Sequence, residues 1–313
     1  MPSDPAVKVG PLKESELPEA DRIMRLAFGT FLGLPDPMAF MGDRNFVVPR
    51  FHAKHTRLLA ARADSRLIGH IAATRWGSFG FFGPLVVLPE FWDKGIAQLL
   101  LQPTMKIFDR WGVRYSGLFT FSHSTKHVGL YQKFGYWPTY LTALMSRTPE
   151  ANTAPLDPHA LLSKLPRTQR EQAILACAKL TNRIEKGLDL TQEIRTVLAR
   201  HTGDVVLTRA RGAIDAFAIC LHGAGSEGGS KACYVKFGAA RNPESFERLL
   251  SACEAHAASL GVPLEAGVSF ARQDAFHRMR ARGYRAMMQG VPMVRPHVAG
   301  FSRPDTYVLA DWR

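Results

Sequence analysis

The sequence predicts an α/β protein of two domains, each with a mixed, mostly antiparallel sheet flanked by helices. Two observations support this fold class. In the first half of the chain, short apolar runs alternate with helical patterns, which is typical of a sheet with helices on both faces. In the second half a similar order returns, with short matching sequences at offsets of 148 or 149 residues. A chain of 313 residues also allows each half to bury a core of its own.

The first half is predicted to run in the order strand, helix, three strands, helix, strand, helix and strand. Its first helix, Glu14–Phe28, has apolar residues at helical spacing. Asp64-Ser65 separates two strand patterns and predicts a hairpin turn. The stretch Gly29–Phe51 is irregular and rich in Phe and Met. We predict strands at residues 6–12, 56–62, 66–76, 85–88, 116–121 and 141–147, with residues 77–83 leading into the fourth.

The stretch Gly83–Leu101 contains a strand, a loop and the start of a helix. The apolar run Leu85–Leu88 stops at Pro89, and a helix begins at Gly95 and continues to about Trp111. Such a turn directs several unpaired backbone N–H groups and the positive end of the helix dipole at one point. The stretch therefore predicts an anion-binding site.

The loop in this stretch reads Trp92-Asp93-Lys94-Gly95-Ile96-Ala97 and resembles the pyrophosphate loop of the GNAT acyltransferase superfamily, Gln/Arg-x-x-Gly-x-Gly/Ala. Gly95 and Ala97 match that pattern. Trp92 replaces the usual Gln or Arg, which removes one charge-assisted contact with phosphate. Asp93 adds a negative charge beside the expected phosphates, and Lys94 partly offsets it.

A second motif, Leu130-Tyr131-Gln132-Lys133-Phe134-Gly135-Tyr136, resembles the family's helix end Leu-Tyr-x-Lys-x-Gly-Phe, where a tyrosine hydroxyl faces the thioester sulfur. The two motifs occur in the family's order and spacing, with the predicted strand 116–121 between them. The resemblance therefore covers residues 6–147 and implies a GNAT domain there.

This resemblance implies acetyl-CoA as the acyl donor. The strand residues Leu85, Val86 and Val87 would bind the pantetheine arm, and the N–H of Val87 would also polarise the thioester carbonyl. Ser124 stands where many relatives carry an Asn that contacts the pantetheine, although a serine there could equally cap the following helix. His127 is expected to face the cofactor or solvent without a chemical role. The pyrophosphate would be held by the backbone N–H groups of Trp92, Asp93, Lys94, Gly95, Ile96 and Ala97.

The catalytic candidates also follow from the resemblance. Tyr131 is the predicted general acid, and the alternative is a tyrosine packed near a helix end with its hydroxyl on water. His123 could remove the ammonium proton through water near neutral pH, and Glu90 is the second candidate base. Each of these two could equally be a surface polar residue. In the family, the region Gly29–Phe51 forms a lip over the acceptor; an apolar flap packed on the body is the alternative.

The domain organisation is predicted from composition. Residues 1–147 would form the acetyl-CoA-binding domain, and residues 148–158, with three prolines, would form a linker. Residues 159–313 would contain a helical segment followed by a degenerate GNAT-like domain. The predicted helices of that segment are His159–Leu165, Arg167–Lys186 and Leu190–His201.

The evidence for a copy is a set of short matches. Leu260-Gly261-Val262 repeats Trp111-Gly112-Val113, and Arg282-Gly283-Tyr284 repeats Phe134-Gly135-Tyr136. These matches indicate an internal duplication. Two further matches pair Met293 with Met145 and Arg295 with Arg147.

The copy lacks the residues that carry the chemistry. Met279, which has no transferable proton, takes the position of Tyr131, and the loop becomes Arg241-Asn242-Pro243-Glu244-Ser245, without glycine. We therefore expect a single cofactor site, in the first half. The second half would cover the sheet edge, shape the acceptor cleft or form a dimer interface.

Composition limits the remaining possibilities. The four cysteines have no metal-ligand spacing and are predicted to be reduced core thiols. The formal net charge of +13 is spread along the chain without a basic run rich in aromatics, which does not favour nucleic-acid binding. The N-terminus Met1-Pro2-Ser3-Asp4 lacks a basic leader, and the apolar runs are shorter than the ~18 residues of a membrane span. We therefore expect a cytoplasmic protein.

The predicted function is transfer of an acetyl group from acetyl-CoA to a primary amine by direct attack. The acceptor would be a small molecule or a peptide, and the protein a monomer or homodimer. The alternative is a non-catalytic acyl-CoA-binding or regulatory protein, since one half is degenerate and Trp92-Asp93 depart from the pattern of the other. A dinucleotide-binding oxidoreductase is less favoured because no Gly-x-Gly-x-x-Gly follows the first strand.

Overall fold

The computed structural model describes residues 6–313, so the N-terminal residues 1–4 used in the argument against a leader lie outside it. In the described part, strands and helices alternate through both halves. The strands are β1 Val7–Pro11, β2 Thr56–Ala63, β3 Arg66–Trp76, β4 Phe79–Val87, β5 Tyr115–Thr120, β6 Trp137–Pro138, β7 Thr142–Arg147, β8 His159–Leu161, β9 Gly203–Ala210, β10 Ala213–Gly223, β11 Gly229–Ala240, β12 Leu264–Ser269, β13 Arg285–Arg295 and β14 Tyr307–Leu309. The helices are α1 Leu17–Phe31, α2 Val48–Phe51, α3 Ile96–Trp111, α4 Thr125–Gln132, α5 Arg167–Ile184, α6 Thr191–Arg200, α7 Pro243–Ser259 and α8 Gln273–Ala281.

The strands form one mixed sheet that runs through both halves, in the order β1-β2-β3-β4-β5-β13-β7-β12-β11-β10-β9-β8. The two halves exchange their last long strands. Strand β13, from the second half, pairs with β5 of the first half, and β7, from the first half, pairs with β12 of the second. All three pairings in the run β5-β13-β7-β12 thus join a strand of one half to a strand of the other. The second half therefore covers the edge of the first sheet, as one of the sequence-based alternatives expected.

A shared aromatic core lies where the halves meet. The indole of Trp76 packs edge-on against the ring of Phe237, with centroids 5.5 Å apart, and Phe79 lies 4.9 Å from Trp312. A side chain at Gly117 would collide with the Trp312 ring, which explains the glycine in the middle of β5. The halves therefore bury apolar surface against each other in addition to pairing strands.

A buried ionic network also joins the halves. Arg50 of α2 donates two hydrogen bonds to Glu227, each 2.8 Å long. Lys236 of β11 lies 2.9 Å from Glu227 and 3.0 Å from Glu193. The Nε2 atom of His55 lies 2.9 Å from Glu193, and the indole of Trp76 donates to the same carboxylate. Such charges are tolerated in a core because each is paired and hydrogen-bonded.

Burial alone would raise the pKa of both carboxyl groups in this network. For Glu193, the charges of Lys236 and His55 outweigh burial, and the pKa lies well below its ordinary value. For Glu227, the charges of Arg50 and Lys236 have the same effect. Both glutamates are therefore ionised at neutral pH, where the network stabilises the fold.

Most elements lie where the sequence predicts them. Asp64 and Ser65 both have positive φ, which fits the predicted hairpin turn. Residues 148–158 contain neither helix nor strand, in agreement with a connecting segment. The domain boundaries themselves stay a prediction, because the sheet is continuous across them. Among the described residues, no helix is both long enough and apolar enough to cross a bilayer.

One predicted helix is wrong. Residues His159–Leu165 form the short strand β8 followed by a single 3₁₀ turn at Leu162–Lys164. The three residues of β8 pair with β9, for example Ala160 with Leu207. A segment this short carries too little periodicity to separate a helix from an edge strand, and the neighbouring strand decides its conformation.

The predicted duplication is visible in the backbone. Gly112 and Gly261 both follow a helix with φ near +65°, at 62° and 68°, and Gly135 and Gly283 have φ of 80° and 89°. Met145 and Arg147 lie in β7, and their predicted counterparts lie in β13. All four cysteines are free and buried, as predicted. Among the described residues no group of His, Cys, Asp or Glu could hold a metal ion.

Candidate functional site

The sheet opens between β4 and β5. These parallel strands pair only at Phe79–Phe81 with Tyr115–Gly117, and among the described strands no other neighbour lies on that side of β4. From Phe82 to Val87, β4 therefore has no neighbouring strand on that side. Two cavities lie against this opening.

The first cavity, here called the loop cavity, has a volume of about 580 Å³. It lies between the end of β4, the loop 88–95 and α4. Among the residues predicted to bind the cofactor, Leu85, Val86 and Val87 line it, as does His127. It is also lined by the predicted loop residues Trp92, Asp93, Gly95, Ile96 and Ala97.

The loop has the backbone conformation that its glycine permits. Gly95 is the residue before α3 and has φ of 76°, and a Cβ there would meet no atom within 4 Å. Asp93 also has a positive φ, of 63°. The space around Gly95 is therefore open to a ligand, and the first N–H groups of α3 point at that space as helix geometry requires. This arrangement fits an anionic group.

Trp92 has a structural role in this loop. Its indole N–H donates to the carbonyl oxygen of Val87 at 2.7 Å. The bond holds the loop against the end of β4. The side chain that departs from the family pattern therefore has a structural role in fixing the loop.

Lysines surround the mouth of the loop cavity. Lys126 lies 2.5 Å from Asp93 and over the ring of Trp92, and Lys94 lies over the ring of Phe91. Lys126 and Lys133 line the cavity, and the sequence analysis gave neither a role. Their spacing on α4 with Gly129 is the helical i, i+3, i+7 pattern, which could have identified this face.

Tyr131 occupies the junction of the site. It is buried, its ring centroid lies 5.6 Å from that of Phe82, and it lines both cavities. Burial raises the pKa of Tyr131 above its ordinary value, so the hydroxyl keeps its proton at neutral pH. The side chain can therefore donate a proton or a hydrogen bond into either cavity.

The second cavity, here called the apolar cavity, has a volume of about 420 Å³ and lies at the side of the opening formed by β4 and β5. The two cavities share Phe28, Leu85, His127 and Tyr131. The second half contributes part of its wall. The wall residues from the second half are Met288, Gln289, Trp312 and Arg313. No local sequence signal could have revealed them.

The predicted lip, Gly29–Phe51, forms part of the same wall. Phe40, Met41 and Phe46 line the apolar cavity, and the ring of Phe40 stacks on Phe28 at 5.2 Å. The region is thus packed on the body and also borders the cavity, so it has features of both the predicted lip and the predicted flap.

Two histidines, one before α4 and one in its first turn, lie near Phe31. His127 lies 4.9 Å from the Phe31 ring and lines both cavities, whereas His123 is exposed and lines only the apolar cavity. Burial, followed by the charges of Lys126 and His123, lowers the pKa of His127. His127 is therefore neutral near pH 7 and able to accept a proton, which is a role the sequence analysis did not give it.

Two predicted residues lie elsewhere. Glu90 is exposed, forms a 2.7 Å ion pair with Arg66 and lines neither cavity. A 3₁₀ turn at Pro89–Phe91 directs it toward β3, so we do not retain it as a candidate base. Ser124 caps α4 by accepting from the N–H of His127, at 3.4 Å, and it lines neither cavity. The capping alternative therefore describes its position.

The corresponding opening in the second half is filled. Strands β11 and β12 pair only at Cys233–Val235 with Leu264–Ala266, and beyond that point β14 pairs with Gly238–Ala240. The chain's own strand thus occupies the edge that is unpaired in the first half. The connection from β11 to α7 is also reduced to residues 241–242.

The start of α7 is closed as well. Asn242 caps this helix, and Ser245 and Thr208 both donate hydrogen bonds to Asp215, at 2.6 and 3.0 Å. Arg248 pairs with the same carboxylate. The Asn242 side chain thus accepts the Ser245 N–H, and Asp215 places a negative charge beside the same helix start. Both features disfavour an anionic ligand there, which supports the expectation of a single site.

Comparison with known proteins agrees with this geometry. Residues 22–136 match the model of the Acetyltransferase (GNAT) family. No curated protein sequence shows significant similarity to the chain. Among solved structures, a putative acetyltransferase from Pyrococcus horikoshii is 14% identical, with a TM-score of 0.72, and the match covers 98% of this chain and 95% of that one.

Two further structures are similar to the chain over most of their length. A GCN5-related N-acetyltransferase from Sphaerobacter thermophilus is 14% identical, with a TM-score of 0.58, and the match covers 92% of this chain and 95% of that one. A tandem GNAT protein from the clavulanic acid biosynthesis pathway is also 14% identical, with a TM-score of 0.58, and the match covers 92% of this chain and 98% of that one. The chain therefore has the tandem GNAT fold, and the match to the family model lies in its first half.

Proposed function

We propose that this protein is an acetyl-CoA-dependent N-acetyltransferase that acts through its first half. The observation that carries the proposal is the meeting of the loop cavity and the apolar cavity at Tyr131. One cavity suits an anionic cosubstrate and the other a second, uncharged group. A residue at their junction touches both reactants, which is the geometry that direct transfer requires.

The first half offers features that fit CoA. The unpaired edge of β4 can take the amide groups of the pantetheine arm as an added strand. In the second half the same edge is paired by β14, which illustrates that an extended segment fits there. The open space at Gly95 and the N-terminus of α3 suit the pyrophosphate, and Lys126 and Lys133 add positive charge. The cosubstrate supplies the thioester-bound acetyl group.

The residues then account for the proton transfers. The amine nitrogen forms a bond to the acetyl carbon while the carbon–sulfur bond breaks. His127 accepts the proton that the amine loses, and Tyr131 donates a proton to the departing thiolate. The amide and free CoA are the products, and proton exchange with solvent returns both side chains to their starting states.

Release of CoA thiol tests this function directly. Purified protein is mixed with acetyl-CoA and a panel of amines, and a thiol-reactive dye reports turnover. We expect thiol release that depends on both amine and enzyme. CoA binding by calorimetry without turnover for any amine would support the non-catalytic alternative, and absence of CoA binding would contradict both.

A further inference from the structure

The apolar cavity indicates the class of acceptor. We propose that the acceptor is a primary amine attached to a bulky apolar body, aromatic or branched aliphatic, without a second positive charge. This inference rests on the proposed function and refines it. Its basis is the lining of the cavity, which includes six phenylalanines: Phe28, Phe40, Phe46, Phe82, Phe119 and Phe121.

The size and position of the cavity fit a small-molecule body. Its volume of about 420 Å³ lies within the roughly 300–1,000 Å³ typical of small-molecule sites. It joins the loop cavity at Tyr131 and His127, so an amine at that junction leaves its substituent among the phenylalanine rings. Burying apolar surface there provides the binding free energy.

The charges of the cavity exclude polycations. None of its lining residues in the described chain is Asp or Glu. Its permanent cation, Arg313, already faces Glu265 and Asp311, each 3.4 Å away, and lies over the ring of Tyr234. A second ammonium group inside would lose hydration without gaining a carboxylate partner. The formal net charge of +13 also repels polyamines and aminoglycosides at long range.

The other use of such a cavity is to hold a long acyl chain on the donor. If the cavity held an acyl chain, the enzyme would discriminate among acyl-CoA donors and not among amines. Varying the donor and the amine separately therefore distinguishes the two uses. The lip and the second half, through Phe40 and Met288, place apolar walls on the side away from the loop cavity. We therefore assign the cavity to the acceptor.

A substrate panel tests the assignment. With acetyl-CoA fixed, 2-phenylethylamine and tryptamine are compared with ethylamine, putrescine and kanamycin. We expect kcat/KM for the two arylalkylamines to exceed that for ethylamine by about 100-fold or more, since even one methylene in an apolar pocket gives roughly 10- to 200-fold. We expect putrescine and kanamycin to be no better than ethylamine. With ethylamine fixed, octanoyl-CoA should not exceed acetyl-CoA.

Adjacent methionines supply a matched pair of variants. Met288 lines the cavity, while Met287 is 51% exposed and does not. Met288→Glu should lower kcat/KM for 2-phenylethylamine at least ~10-fold and narrow its advantage over putrescine, because a carboxylate now faces the substituent. Met287→Glu should leave both values unchanged, which controls for net charge and folding.

Three outcomes would overturn the inference while leaving the proposed function intact. They are preference for putrescine or kanamycin, preference for octanoyl-CoA with ethylamine, and equal effects of the two methionine variants. If CoA binds without turnover, calorimetry on the CoA-loaded protein decides instead. Failure of 2-phenylethylamine and tryptamine to bind in that titration would also overturn the inference about the acceptor. Failure of CoA itself to bind would contradict the proposed function.

Discussion

Lys126 and Asp93 form an ion pair 2.5 Å apart at the mouth of the loop cavity. Asp93 thereby engages a lysine that could otherwise face the phosphates of CoA. Both side chains are exposed, so salt screens their interaction.

Asp93→Gly is therefore expected to tighten CoA binding. The change removes a negative charge and releases Lys126, and glycine accepts the positive φ of this position without strain. We expect about a 3- to 10-fold lower Kd at low salt, and a smaller gain at 0.5 M salt. Calorimetric titration at the two salt concentrations measures this change in the Kd for CoA. An unchanged or higher Kd would mean that the loop does not face the phosphates.

Gly95→Val is expected to abolish CoA binding, and the wild-type protein is expected to bind one CoA per chain. A valine side chain would fill the open space before α3 and resist a φ of 76°. Gly112→Val is the control, since Gly112 ends the same helix with φ of 62° and open space. Both variants carry similar backbone strain, but only the first should lose binding. A titration that gives two equivalent CoA sites per chain would contradict our conclusion that the corresponding opening in the second half is filled.

Tyr131→Phe is expected to lower kcat with little change in the Kd for CoA. The ring and its packing on Phe82 remain, and only the proton donor is lost. General acid catalysis is typically worth roughly 10²–10⁴-fold, and a loss toward the lower end is expected because a thiolate is a good leaving group. Tyr136→Phe is the control, since that hydroxyl bonds Ser116 at 2.7 Å and lines neither cavity. Full activity of the Tyr131 variant would exclude proton transfer from this residue.

The pH profile should report His127. Its pKa is lowered by burial and nearby charge, so it is neutral and basic at pH 7 and gains a proton only as the pH falls below its ordinary range. The kcat value should therefore be constant near neutrality and decrease at acidic pH. His127→Gln should lower kcat about 100-fold and remove this acidic limb. His123→Gln should keep it. A limb retained by the His127 variant would assign the base elsewhere.

Glu227→Gln is expected to destabilise the fold by about 3–5 kcal/mol, because Arg50 and Lys236 are left without their buried partner charge. Glu171→Gln is the control, as its 2.9 Å pair with Arg195 is exposed and worth at most about 1 kcal/mol. Urea unfolding measures both. Since the pKa of Glu227 is lowered, the stability of the wild-type protein should fall as the pH drops below the ordinary range of a carboxyl group. Equal effects of the two variants would contradict a stabilising network.

The sequence predicts those parts of the site that are encoded locally. Gly95 lies directly before α3 and Tyr131 lies near the end of α4, and neighbouring residues set both conformations, so each lies where its motif places it.

The acceptor side depends on contacts between distant segments. Met288 and Trp312 reach the apolar cavity because β13 joins β5 and because β14 leads the chain back to it. Neither pairing has a signature within a window of a few residues. The assignment of His159–Leu165 failed for the same reason, since β9 lies more than 40 residues away.

The exchange of strands sets an order of events during synthesis. The first half is complete in sequence at β7, but the neighbour of β5 is Val291–Arg295. At ribosomal rates of 5–20 residues per second, about 150 further residues take roughly 10–30 s. Throughout that interval the nascent first half exposes the open edge of β5 and half of an aromatic core. The first half therefore cannot complete its sheet until β13 has been synthesised, and until then β5 lacks the neighbour that protects its edge from aggregation.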